Sequence, residues 1–126
     1  MGSGSHQKDF IEQNLNYKTA MSEVTEIQGN ELDEQLTFPG PVVVDCTATW
    51  CGPCRAIAPS IDRLAAEYED RAKVFKLDID KNKATAKRFG IRSIPAVLVF
   101  KGGELVENMV GVAPYESFSQ AVDKHL

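Results

Sequence analysis

The chain has 126 residues, long enough for one domain with a hydrophobic core, and its 43% apolar and 25% charged residues are ordinary for a globular protein. Its 14 Lys and Arg against 18 Asp and Glu give a formal net charge of -4, and no basic run stands out, which disfavours nucleic acid as a partner. No apolar run approaches the ~20 residues that a membrane-spanning helix needs, and the N-terminus lacks the apolar core of a signal peptide. We therefore expect a cytoplasmic protein with no membrane association.

Residues 1–20 differ in composition from the remainder of the chain. The segment begins MGSGSH, a small and flexible composition typical of an expression tag, and a second Met follows at position 21. We expect residues 1–20 to be a disordered, tag-like extension. Residues 21–126 then form the single domain, with Met21 as its natural start.

The first elements of that domain are a short strand and a helix. Residues 24–27 fit an edge strand, and Asn30 is expected to cap a helix that carries Leu32 and Leu36 on one side. The sequence FPGP at 38–41 ends this helix.

A central strand and a long helix follow. Residues 42–48 are apolar on both alternating faces, except at Asp45, as in a strand covered by helices on both sides. After CGPC at 51–54, apolar residues recur at helical spacing and predict a helix with one buried stripe, which Pro59 should kink. The stripe consists of Ile57, Ile61, Leu64 and Tyr68.

The remaining pattern completes an α/β fold with a mixed five-stranded sheet flanked by four helices. Strands separated by helices can pair in parallel through right-handed crossovers, whereas the last two strands are joined by a tight turn. The elements are a strand over 74–79, a helix capped by Asn82 and ended by Gly90, a strand over 96–100, a turn at 101–104, a strand over 105–110 and a helix that Pro114 opens with Phe118 and Val122 inward.

Two of the three cysteines enclose Gly52 and Pro53 and follow a central strand, where such sheets carry their chemistry. Cys51 starts the predicted helix, whose free N–H groups favour a thiolate, so we expect Cys51 to attack disulfides. Cys54 lies one turn further in, should be less exposed, and is expected to resolve the mixed disulfide. Gly52 allows close approach of a partner, and Pro53 fixes the backbone at the helix start.

A zinc site is the alternative for a Cys-x-x-Cys pair, but it needs two further ligands at suitable spacing. His6 lies in the tag-like segment, His125 at the far terminus and Cys46 within a strand. We therefore expect no metal, and we expect Cys46 to be a small core residue.

Asp45 is the second candidate for chemistry. Burial in an apolar strand should raise its pKa, which would let it take the proton from Cys54 during resolution. The alternative is a structural carboxylate paired with Lys76.

Several sequence blocks together resemble the thioredoxin family, in its bacterial type. WCGPCR at 50–55, preceded by VD and followed by AP, resembles the family signature, and three later blocks match in order and spacing. These blocks are KLDID at 76–80, FGIRSIP at 89–95 and FKGG at 100–103. The resemblance covers residues 24–126; Cys46, Thr47 and the extension before Met21 depart from it.

The resemblance implies the thioredoxin fold and a particular site. A cis peptide bond before Pro95 would set Ile94 opposite the disulfide, and Lys76 would lie near Asp45 beneath it. It also implies a flat apolar docking rim of Trp50, Gly52, Pro53, Ile79, Ile94, Val110, Gly111 and Val112. Core packing of Trp50, ordinary strand burial of Ile79 and Val110, and a solvated Lys76 are the alternatives.

The resemblance implies a monomeric protein-disulfide reductase that binds no cofactor of its own. Its redox-active disulfide would be re-reduced by thioredoxin reductase with NADPH, and disulfide-containing proteins would be its targets. One alternative is a disulfide oxidant or isomerase, which works at a higher redox potential. Another is a carrier that displays the peptide of residues 7–20.

Overall fold

Five strands form one sheet, with four helices around it, in a computed structural model that describes residues 24–126. The tag-like segment of the prediction lies outside the described residues. The strands are β1 (Thr25–Glu26), β2 (Val42–Thr47), β3 (Lys73–Asp78), β4 (Ala96–Lys101) and β5 (Glu104–Val110). The helices are α1 (Gly29–Gln35), α2 (Gly52–Glu67), α3 (Lys83–Arg88) and α4 (Tyr115–Asp123).

The order of strands across the sheet is β1-β3-β2-β4-β5. β3 pairs in parallel with both β1 and β2, while β4 pairs antiparallel with β2 and β5. The mixed sheet and the order of elements along the chain are therefore as predicted. β2 is the central strand, so its carboxyl end lies in the middle of the row of strand ends on that side of the sheet.

The turn between β4 and β5 needs glycine. Gly102 and Gly103 have φ values of +61° and +82°, and a two-residue hairpin turn of the kind that suits twisted strands requires positive φ at both positions. The predicted turn is confirmed.

Apolar side chains cover both faces of the sheet. Val43 of β2 packs on one face with residues of α2 and α4, including the whole predicted stripe, whose last member, Tyr68, is the C-cap of α2. Val42 and Val44 pack on the other face with residues of α1, β3 and β4. Cys46 lies in this second cluster and is fully buried, which confirms it as a small core residue. Pro59 lies inside α2, which continues on both sides of it.

The predicted cap of α1 is wrong. The helix begins at Gly29 with Gln28 as its cap residue, so Asn30 already lies inside the first turn. The reason is a side chain far along the chain: Oδ1 of Asn82 accepts a hydrogen bond from the Gly29 N–H at 2.7 Å. The Gln28 N–H also donates to the Glu31 carboxylate at 2.7 Å, so these two bonds set the start of the helix.

Asn82 precedes α3, as predicted, but makes no side-chain cap hydrogen bond to that helix. Its amide nitrogen donates to the carbonyl of Asp78 at 2.9 Å and to the side chain of Gln28 at 3.0 Å. Asn82 therefore joins the end of β3 to the start of α1.

Candidate active site

Cys51 and Cys54 are joined by a disulfide at the start of α2. Cys51 is the N-cap of the helix, with an extended backbone, and its sulfur accepts the Cys54 N–H at 3.2 Å. This position follows from the sequence, because β2 ends at Thr47 and Pro53 favours the first turn of a helix. The sulfur of Cys51 thus lies where free helix N–H groups favour negative charge.

Both cysteines are buried, each with 3% of its surface exposed. The predicted difference in exposure between them is therefore absent from this disulfide form. Ile79 and Ile94 pack against the small cluster that Ala48 forms with the two cysteines, so apolar side chains shield the pair from solvent.

The segment before β4 lies across this cluster. The peptide bond between Ile94 and Pro95 is cis, as the family resemblance implied. The carbonyl of Pro95 accepts a hydrogen bond from the Gly111 N–H at 2.8 Å, which ties the segment after β5 to the segment before β4. Gly111 has a φ of +94°, a conformation that favours glycine.

Large apolar side chains are exposed around the disulfide. Trp50 is 65% exposed, and Val110 and Val112 are each 61% exposed, so core packing of Trp50 and strand burial of Val110 are both excluded. Ile79 and Ile94 are half-buried. Trp50 directly precedes Cys51, and Val110 pairs with Ala96, which pairs with Cys46 near the carboxyl end of β2, so both lie at the end of the sheet that carries the disulfide. Exposed apolar residues at such a place favour a surface that binds another protein.

The indole of Trp50 is held by a hydrogen bond that sequence reasoning missed. Its Nε1 donates to Oδ2 of Asp80 at 2.7 Å. Asp80 follows the carboxyl end of β3, and β3 is the parallel neighbour of β2, so both residues lie at the same edge of the sheet. That strand adjacency is the signal that could have identified Asp80.

Asp45 is buried in the centre of the sheet, where its register partner in β3 is Lys76. Burial raises the pKa of Asp45 to about 6; the charge of Lys76 opposes this effect, and that of Asp62 adds to it. The predicted rise is confirmed. Among the ion pairs of residues 24–126, none joins Asp45 to Lys76, and Oδ1 of Asp45 accepts no hydrogen bond there. Asp45 is therefore not a structural carboxylate held in an ion pair with Lys76, which was the alternative.

Asp62 is a second carboxylate that the sequence analysis missed. It lies on α2 and has a buried Oδ1 without a hydrogen-bond partner among the described residues. Burial raises its pKa, whereas the charge of Lys76 lowers it. The available signal was its position directly after Ile61, one residue off the buried stripe of the helix.

Within residues 24–126, no group of three or more His, Cys, Asp or Glu side chains is arranged to hold a metal ion. Over the same residues, no helix has the length and apolar character to cross a membrane.

Comparison with known proteins agrees with this geometry. The Thioredoxin family model matches residues 23–124. The chain is 43% identical to thioredoxin of Staphylococcus haemolyticus over 82% of this chain and 98% of that protein. It is 47% identical to Thioredoxin 1 of a Nostoc species over 74% of this chain and 87% of that protein. The structure of a mutant thioredoxin from Halobacterium salinarum is similar at a TM-score of 0.76 and 33% identity, covering 84% of this chain and 93% of that one. The chain therefore belongs to the thioredoxin family and is a thiol–disulfide oxidoreductase.

Proposed function

We propose that Cys51 is the attacking thiol of this disulfide reductase and that Cys54 resolves the intermediate. The thiolate of Cys51 attacks one sulfur of a target disulfide, forms a mixed disulfide and releases one target thiolate. The thiolate of Cys54 then attacks the Cys51 sulfur, which closes the Cys51–Cys54 disulfide and releases the second target thiolate. Two electrons pass from the cysteine pair to the target, whose thiolates take up protons.

The observation that carries this assignment is the position of Cys51 at the helix cap, where its sulfur accepts the Cys54 N–H. Donation to sulfur and the positive end of the helix dipole both stabilise a thiolate at Cys51. Cys54 lies within the first turn of α2, so it can reach the Cys51 sulfur without movement of the helix.

We propose that Asp45 takes the proton from Cys54 before resolution and that Lys76 positions this transfer. A pKa of about 6 suits a group that exchanges protons near neutral pH. Asp45 shares its face of β2 with Val43, which packs against α2, the helix that carries Cys54. This burial beneath α2 supports the role.

We propose that the target docks as an extended segment on the apolar surface around the disulfide. Exposure of Trp50, Val110 and Val112 supports this surface. Ile79 and Ile94 are half-buried beside the cysteines, which supports a place for them in the part of the surface nearest to the disulfide. The docking residues are Trp50, Gly52, Pro53, Ile79, Ile94, Pro95, Val110, Gly111 and Val112.

Family membership supports a place for the chain in a redox cycle. We propose thioredoxin reductase as the partner that re-reduces the disulfide with electrons from NADPH, disulfide-containing proteins as targets, the cytoplasm as location and a monomer as the working form. We also propose that residues 1–20 are an appended segment outside the enzyme. Deletion of residues 1–20 should leave insulin reduction unchanged, and a slower reaction would contradict this boundary.

The test is reduction of insulin disulfides with dithiothreitol, using the full chain, Cys51→Ser, Cys54→Ser and Cys46→Ala. We expect loss of activity in both active-site variants and full activity in Cys46→Ala. When each active-site variant is reduced, freed of dithiothreitol and mixed with insulin, a mixed disulfide should be trapped with Cys54→Ser only. An inactive full chain, or equal activity of Cys51→Ser, would contradict the assignment and favour the carrier alternative. Equilibration with glutathione separates reductase from oxidant, because a reductase has the lower potential.

A further inference from the structure

A basic groove of about 490 Å³ lies next to the disulfide, beside α3 and the segment that leads to β4. Its lining includes Ile79, Asp80, Lys83, Lys87, Ile91 and Arg92. A groove of this volume can take several side chains of a bound chain.

The basic groove is continuous with the surface around the disulfide. Ile79 lines the groove and also packs against the cluster of Ala48, Cys51 and Cys54. Asp80 lines the groove and also accepts the hydrogen bond from the Trp50 indole. A target segment on the disulfide surface would therefore extend into the basic groove.

Cations are concentrated here although the chain has a net charge of -4. Between residues 81 and 92 there are five Lys and Arg and no Asp or Glu. Lys81 pairs with Glu26 at 3.8 Å and Arg88 pairs with Asp33 at 2.9 Å. The three other cations of this segment line the groove, are exposed and make no ion pair with any residue of 24–126: Lys83, Lys87 and Arg92.

Stabilisation of α3 does not explain this arrangement. A cation in the last turn of a helix is favourable, which would account for Lys87. Lys83, however, is the first residue of α3, where the helix dipole disfavours a positive charge, and Arg92 lies beyond the end of the helix. Asp80 is the one carboxylate in the lining, so the groove has three cations against one anion and keeps an excess of positive charge.

We propose that the basic groove binds Asp or Glu side chains of a target protein next to the disulfide being reduced. The chain therefore prefers disulfides with acidic flanks over those with neutral or basic flanks. Charge complementarity of this kind acts mainly on partner choice and the rate of encounter. The inference rests on the proposed docking of targets around Cys51, and it adds the chemical class of the preferred target.

The experiment compares two peptides that each contain one disulfide and differ only in flanking glutamates or glutamines. The full chain is tested with a groove variant (Lys83→Gln, Lys87→Gln, Arg92→Gln) and a control variant (Lys73→Gln, Lys101→Gln, Lys124→Gln). Lys73 begins β3 and Lys101 ends β4, so both lie at the sheet edge opposite to the disulfide. Each variant removes three positive charges. For each protein, kcat/KM is measured with both peptides at low and at high salt.

We expect the full chain to prefer the acidic peptide by about fivefold to tenfold at low salt, as three exposed ion pairs can supply. The ratio of kcat/KM for the acidic peptide to kcat/KM for the neutral peptide should fall toward one in the groove variant and at high salt. It should persist in the control variant at low salt. Equal rates for both peptides at low salt would overturn the proposal, as would equal loss of preference in both variants. If neither peptide were reduced, the proposed docking and attack by Cys51 would fail instead.

Discussion

Asp45 and Lys76 are register partners on neighbouring parallel strands, yet no ion pair joins their side chains. Asp45 is buried, and its Oδ1 accepts no hydrogen bond from the described residues, while Lys76 is half-buried. Burial therefore determines the pKa of Asp45 more than the nearby positive charge does. Ionisation of this carboxylate costs free energy in the folded protein.

The first prediction concerns stability and pH. The pKa of Asp45 is about 6 in the folded protein, against the ordinary value of 3.8 for an aspartate in the unfolded chain, so between these pH values the folded state holds a proton that the unfolded state has lost. The contribution of Asp45 to the free energy of unfolding thus falls as the pH rises through this window and is constant above it. Asp45→Asn should raise the free energy of unfolding by about 1–3 kcal/mol more at about pH 7.5 than at about pH 3.5.

Urea unfolding of the disulfide form at both pH values measures this difference. Asp70→Asn, at an exposed position, is the matched control and should change the two free energies equally. If Asp45→Asn also shifted both values equally, the cost of burying the Asp45 charge would be refuted.

The second prediction concerns the hydrogen bond between Trp50 and Asp80. Asp80→Ala removes the acceptor and frees the exposed indole, so KM for insulin should rise about threefold to tenfold. Asp80→Asn keeps an acceptor oxygen and should stay near the wild-type value. Trp50→Phe should raise KM as well, and adding Asp80→Ala to it should change little further.

The fluorescence of Trp50 gives an independent readout, because it is the single Trp of the chain. Its emission should change in Asp80→Ala and remain close to wild type in Asp80→Asn. Additive effects in the double variant would show that the two residues act separately.

Periodicity in the sequence predicted the elements themselves. The buried stripe of α2 and the two-sided burial of β2 follow from local spacing, and both are found. Gly102 and Gly103 likewise identify their turn, because few other residues adopt positive φ.

Contacts between distant residues could not be predicted in this way. Asn82 and Gly29 are 53 positions apart, and Trp50 and Asp80 are 30 apart, so only the folded sheet brings each pair together. The equal burial of Cys51 and Cys54 has the same origin, since Ile79 and Ile94 come from other parts of the chain. The sequence blocks of the family, rather than periodicity, indicated which apolar residues lie around the disulfide.

The third prediction concerns Cys46, the free cysteine of the described residues. Burial raises its pKa to about 12, so the thiol is both inaccessible and protonated. The oxidised protein should show no thiol that reacts with a disulfide dye under native conditions, and one thiol in denaturant. Cys46→Ala should show none in either condition; a native thiol signal that disappears in Cys46→Ala would contradict the burial.

The fourth prediction concerns the link between α1 and the end of β3. Asn82→Ala removes the acceptor of the Gly29 N–H and the donor to the Asp78 carbonyl, and should lower the free energy of unfolding by about 1–3 kcal/mol. Asn82→Asp keeps the acceptor of the Gly29 N–H and should lower the free energy of unfolding by less than Asn82→Ala does. Asn30→Ala is the control, because Asn30 is exposed inside α1 and should change stability by about 0.5 kcal/mol at most. Denaturant unfolding measures all three, and faster amide exchange of Gly29 in Asn82→Ala would locate the loss. Equal destabilisation by Asn30→Ala and Asn82→Ala would contradict this link and indicate instead that Asn30 caps α1.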